Sequence, residues 1–101
     1  MATIRGVVNF RVKPGRYADL FEGLKGAKQL LERLGAKPIV NRVVVGGETG
    51  NVIAVAEYAD WAAYAKAVSD PEVQKLIDTM RNNPNPPYES ITTAIVEEVP
   101  L

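Results

Sequence analysis

Val43-Val44-Val45-Gly46-Gly47-Glu48-Thr49-Gly50-Asn51-Val52-Ile53-Ala54-Val55-Ala56 is the stretch on which the fold turns. β-Branched residues stand on both sides of a Gly- and Asn-rich run, and those are the residue types that take positive φ at little cost. Two strands joined by a hairpin loop over Gly46–Asn51 is the direct reading. The first strand runs from Lys37 to Gly46, entered through Pro38 and carrying Ile39 and Val40. The second returns from Val52 to Tyr58.

Working upstream, Tyr17, Leu20, Phe21, Leu24, Ala27, Leu31 and Leu34 recur at spacings of three and four. They make one apolar stripe on a helix that starts near Arg16 and stops at Gly35 in the C′ position. Gly23 and Gly26 lie inside that helix, each at a cost of about 1 kcal/mol against Ala, and are expected to permit close helix-to-sheet contact. Before the helix, Ile4, Val8, Phe10 and Val12 alternate with Arg5, Asn9, Arg11 and Lys13, a strand at period two that Pro14-Gly15 ends. Downstream, Asp60 reads as the N-cap of a helix carrying Trp61, Tyr64, Ala65 and Val68. Ser69-Asp70-Pro71-Glu72 breaks and restarts it, with Asp70 as cap and Pro71 in the first turn. Val73, Leu76, Ile77 and Met80 form the stripe of the restarted segment. Asn82-Asn83-Pro84-Asn85-Pro86-Pro87 is a stiff loop, and Ile91 to Val99 a final strand.

The order β-α-β-β-α-β is the split-βαβ, ferredoxin-like arrangement, an α+β fold. Right-handed crossovers place both helical segments on one face of a four-stranded antiparallel sheet. The chain of 101 residues is expected to be one domain over 1–101.

Composition limits the chemistry. Forty-seven per cent of residues are apolar and 24 % charged, a globular balance. The sequence has no Cys, so disulfides, thiolate nucleophiles, zinc ribbons and Cys-pair metal transfer are excluded. It has no His, so imidazole bases and His-ligated haem or zinc are excluded too. No cofactor and no metal is expected. Twelve Lys and Arg against 12 Asp and Glu leave no electrostatic case for a nucleic-acid or anionic-membrane partner. The two strands that would form an RNA-stacking platform are aliphatic apart from Phe10. Gly46–Gly50 links two strands rather than opening a helix, so it is no phosphate cradle. No apolar run exceeds the five residues Val52–Ala56, and no secretory h-region follows Met1, so a cytoplasmic location is expected.

Two helices cover only one face of such a sheet. A solvated second face would alternate polar residues, yet Val43–Val45, Val52–Ala56 and Ala94-Ile95-Val96 are apolar at both parities. Left open, they would make a larger apolar patch than monomers usually carry. The expected solution is a homodimer packed sheet face to sheet face. Arg5 and Arg11 share the parity of that face, with Glu57 or Glu97 as candidate ion-pair partners.

The element order, together with Glu57-Tyr58-Ala59-Asp60-Trp61-Ala62-Ala63-Tyr64-Ala65-Lys66-Ala67 and Ser69-Asp70-Pro71-Glu72-Val73-Gln74, resembles the dimeric α+β barrel superfamily. That superfamily includes the antibiotic-biosynthesis-monooxygenase-like and NIPSNAP-like families. The resemblance spans nearly the whole chain and implies a homodimer and a pocket for a small apolar molecule. Its activities range from cofactor-free monooxygenation and polyketide cyclisation to haem degradation, and many members have none known. The missing His removes the haem- and imidazole-dependent members. Asn/Trp/Tyr chemistry on an aromatic or polyketide-like substrate is what the resemblance implies, with a non-catalytic binding or structural module as the alternative.

Candidate residues follow. Asn9 stands on the first strand, where the family carries a functional Asn, but its parity opposes Val8, Phe10 and Val12. Unless a bulge shifts the register it faces away from the helices. Asn9, Asn41 and Tyr64 are the catalytic candidates. Tyr17, Phe21, Trp61, Tyr64 and Tyr88 are the substrate-binding candidates, since aromatics can stack on a planar molecule and orient it through N–H and O–H. Each has ordinary core packing as its alternative. Glu97 and Glu98 are adjacent on a strand, face opposite sides, and form no carboxylate dyad.

Overall fold

The structure, a computed structural model, describes residues 2–101. The elements are β1 (Ile4–Val12), α1 (Tyr17–Arg33), β2 (Lys37–Arg42), β3 (Val52–Tyr58), α2 (Trp61–Val68), α3 (Pro71–Arg81) and β4 (Tyr88–Glu97). The strands form a four-stranded antiparallel sheet in the order β2-β3-β1-β4, with the helices on one face. This is the ferredoxin-like arrangement expected from the hydrophobic periods.

Local chemistry fixes the helix ends. The Asp60 carboxylate accepts from the Ala63 N–H at 2.8 Å, and that of Asp70 from the Glu72 N–H at 2.9 Å. Each satisfies a backbone donor that the first turn leaves without a partner. Pro71 opens α3, and Gly35, at φ 87°, takes the left-handed turn just beyond α1.

Three local expectations are corrected. The strand expected from Lys37 to Gly46 ends at Arg42. Val43 still exchanges backbone hydrogen bonds of 2.8 Å with Gly50 and Asn51. Beyond it the loop bonds to itself, Asn51 N–H to the Glu48 carbonyl and the Thr49 hydroxyl to the Gly46 carbonyl, which leaves Val44 and Val45 without a strand to pair with. They are exposed and add nothing to the apolar second face. The last strand, expected over Ile91–Val99, runs from Tyr88 to Glu97, because a register shift at Arg11/Val12 lets β1 pair as far as Tyr88. Gly23 and Gly26 do not mediate close packing: a Cβ at either would meet nothing within 4 Å.

Register assigns the two faces. Ile4, Gly6, Val8 and Phe10 lie opposite Tyr58, Ala56, Ala54 and Val52 on the helix side. Arg5, Val7 and Asn9 lie opposite Glu57, Val55 and Ile53 on the other. The core is divided. One cluster gathers Ile4, Ala36, Tyr58 and Ala67 at one end of the sheet; Phe10, Leu20 and Val52 form another at the opposite end.

Candidate functional site

Between the two clusters the helices stand off the sheet and enclose a cavity of about 620 Å³, within the ~300–1,000 Å³ usual for small-molecule sites. Its origin is side-chain size. Gly6 on β1 and Ala54 and Ala56 on β3 floor the middle of the sheet, with Ala27 above them on α1. Bulky residues at either end, Ile4 with Tyr58 and Phe10 with Val52, keep the helices from collapsing into that space. Leu24, Leu31, Ile77 and Met80 complete the roof. The cavity opens along β4: Ile91 and Ile95 line it, yet are 41 % and 43 % exposed.

Its polar groups are few. The phenols of Tyr58, Tyr64 and Tyr88, the Thr93 hydroxyl and the cations of Lys28 and Arg81 belong to the wall. Among the described residues no Asp, Glu or Asn lines it. Tyr58 and Tyr64 meet edge to face, centroids 5.4 Å apart, and Tyr88 packs on Phe10 at 5.3 Å. Burial, with the neighbouring Tyr64 adding to it, pushes the Tyr58 phenol above its ordinary value of 10.0. Near neutral pH this phenol is therefore a proton-bearing hydrogen-bond donor rather than a base.

The sequence candidates do not come together in one place. Tyr64 and Tyr88 line the cavity. Trp61 is 53 % exposed and outside it, seated edge-on against Tyr64 at 5.9 Å while its indole N–H donates to Glu97 at 3.0 Å. Tyr17 donates to the Gly50 carbonyl at 2.6 Å and packs at 6.1 Å from the partly exposed Phe21; neither lines the cavity.

Asn9 and Asn41 flank Ile53 on the face away from the helices. The register shift in β1 comes after Arg11 and leaves Asn9 where simple alternation puts it. There the Asn9 amide donates to Glu48 and accepts from Asn51, both at 3.0 Å, which ties the β2–β3 loop to β1. On the same face Arg5 contacts Glu57 at 3.1 Å and Glu98 at 3.0 Å, and the hydrogen bond it donates to the Glu98 carboxylate is the main cause that raises its pKa. Arg11 contacts Glu89 at 3.3 Å. The expected partner Glu57 is present; Glu97 is not one, because it lies opposite Ile4 on the helix side and holds Trp61.

Tyr58, Lys28, Arg81 and the small floor residues were not among the sequence candidates. The floor had a signal: Gly6, Ala54 and Ala56 are small residues at helix-facing parity in otherwise β-branched strands.

No protein-family model and no curated protein matches the chain in sequence. Solved structures do match in shape. A variant of SnoaB, a cofactor-independent oxygenase from Streptomyces nogalater, superposes with a TM-score of 0.72 at 14 % identity, over 93 % of this chain and 90 % of its own. A provisionally assigned antibiotic biosynthesis monooxygenase from Deinococcus radiodurans gives 0.73 at 13 % identity, over 97 % and 94 %. A DABB family protein with a ferredoxin-like fold from Mesorhizobium loti gives 0.70 at 23 % identity, over 100 % and 99 %. At such identities the likeness is one of fold, and that fold is the ferredoxin-like fold of the antibiotic-biosynthesis-monooxygenase-like and DABB proteins, as the sequence resemblance implied.

Proposed function

We propose that this chain binds a flat, mainly apolar molecule, aromatic or polyketide-like, in the cavity between helices and sheet. The observation that carries this is an apolar space of about 620 Å³ with a few phenols in its wall, the usual make-up of a small-molecule site. Tyr64 and Tyr88 are its substrate-binding residues, joined by Tyr58; Trp61 backs Tyr64, and Tyr17 and Phe21 act at one remove.

The reaction we propose is cofactor-independent monooxygenation, a reading supported by the shared fold of SnoaB, a cofactor-independent oxygenase. In such a step a hydroquinone ring C–H becomes C–O of a hydroxyquinone, and the second atom of O2 leaves as water with the substrate's hydrogens. The phenols of Tyr58 and Tyr64 would donate hydrogen bonds to the substrate oxyanion as it forms, favouring the charged species that reacts with O2. Oxygen uptake with a panel of hydroquinones tests this. Uptake above the protein-free rate, lowered about tenfold or more in Tyr58→Phe with Tyr64→Phe, is the expected result. No uptake over the blank overturns it. A binding module without turnover is the second reading, favoured by a cavity wall that offers donors and cations but, among the described residues, no general base.

We further propose that a second copy covers the open sheet face, where Val7, Ile53 and Val55 form an apolar centre inside a rim of ion pairs. Asn9 and Asn41 then belong to the dimer seam. Light scattering should return twice the 11.0 kDa chain mass.

A further inference from the structure

The protein is neutral overall, with 12 cations against 12 anions, but its cavity wall is not. Lys28 from α1 and Arg81 from α3 both line the space, and no carboxylate among the described residues does. Among the described residues each cation has only a loose partner on its own helix: Lys28 stands 3.7 Å from Glu32, and Arg81 stands 3.9 Å from Asp78, with all four side chains 46–72 % exposed. Contacts this long and this wet contribute little. Both charges can therefore turn to an incoming anion without breaking a bond of consequence. Their exposure also keeps them hydrated while the cavity is empty, so holding them there costs little.

We propose, resting on the reading of this cavity as the binding site, that its ligand is an organic acid. A flat apolar body lies over Gly6, Ala54 and Ala56 and against the three phenols, and a single carboxylate stays at the Lys28 and Arg81 wall. An acid placed the other way round would bury its charge against Gly6, Ala54 and Ala56 with no cation to compensate it, which is strongly unfavourable. The two cations therefore set orientation as well as preference.

The test compares 2-naphthoate with its neutral isostere 2-naphthamide by calorimetric titration of the intact protein. Wild type should bind the acid about tenfold tighter than the amide, as two partly exposed charges allow. That preference should shrink as salt is raised. Lys28→Gln with Arg81→Gln should bring the two affinities together while leaving the amide's unchanged. Lys25→Gln with Lys75→Gln, which remove the same net charge outside the cavity wall, should keep the preference. Equal affinities in wild type, or a preference that survives the Lys28/Arg81 double variant, overturns the acid inference and leaves the cavity as a binding site. If neither compound binds, the binding reading fails and this inference falls with it.

Discussion

Ala54 and Val55 are chain neighbours on β3, and they look onto opposite faces of one sheet. Ala54 faces the helices, where small residues leave a hollow beneath a roof. Val55 faces outward, where Val7, Ile39, Ile53 and Val96 form a surface that no element among the described residues covers, and Ile39 and Val96 at its edges are 57 % and 41 % exposed. Small residues on the helix side are confined to Gly6, Ala54 and Ala56, while Val7, Ile53 and Val55 stand next to them in the chain on the open face. A covered face with a hole in it and an open face without one call for different occupants, a small molecule and a flat protein surface.

A charge on the open face should break that contrast most severely. Val55→Asp puts a carboxylate at the centre of the proposed seam, where an unpaired buried charge costs about 3–5 kcal/mol. Light scattering should then give the single-chain mass while circular dichroism stays that of a folded protein. On the helix face, Ala54→Leu fills the hollow. It should weaken binding of the aromatic acid at least tenfold and raise stability by about 1–2 kcal/mol from the apolar area buried, read by denaturant unfolding. Gly26→Ala sharpens the account of the roof, since a Cβ there meets nothing. It should stabilise by about 0.5–1 kcal/mol through helix propensity alone, with binding unchanged.

The smallest effect is on pH dependence. Tyr58 is protonated in both folded and unfolded chains below its ordinary value of 10.0, so its contribution is constant there. Above that value the unfolded chain gives up the proton first, and stability falls as the pH rises toward the folded-state pKa. Tyr58→Phe should flatten this alkaline decline in a series of unfolding curves.

Much of the fold was legible because hydrophobic period and capping chemistry are local. Asp60, Asp70-Pro71 and Gly35 each act within a turn of their own position, and each marks a boundary in the structure. Parity likewise set Asn9 and Arg5 on the outer face. Val43–Val45 misled, because three β-branched residues carry strand propensity wherever they stand, while the self-bonded Gly46–Asn51 loop decides where pairing ends. The site was less legible. Aromatics drew attention to Trp61, Tyr17 and Phe21, whereas the cavity depends on what is missing at Gly6, Ala54 and Ala56. Lys28 and Arg81 gave no local signal, since only the approach of α1 and α3 to one space distinguishes them from the other surface cations.

The central claim is that the helix-side hollow is the binding site, and methyl NMR on the two faces tests it most directly. Titration with 2-naphthoate should shift the methyls of Val8, Ala54, Ala56 and Ile95, and leave those of Ile53 and Val96, on the open face and outside the cavity wall, in place. Shifts confined to the outer set, with the inner methyls unmoved, would contradict it.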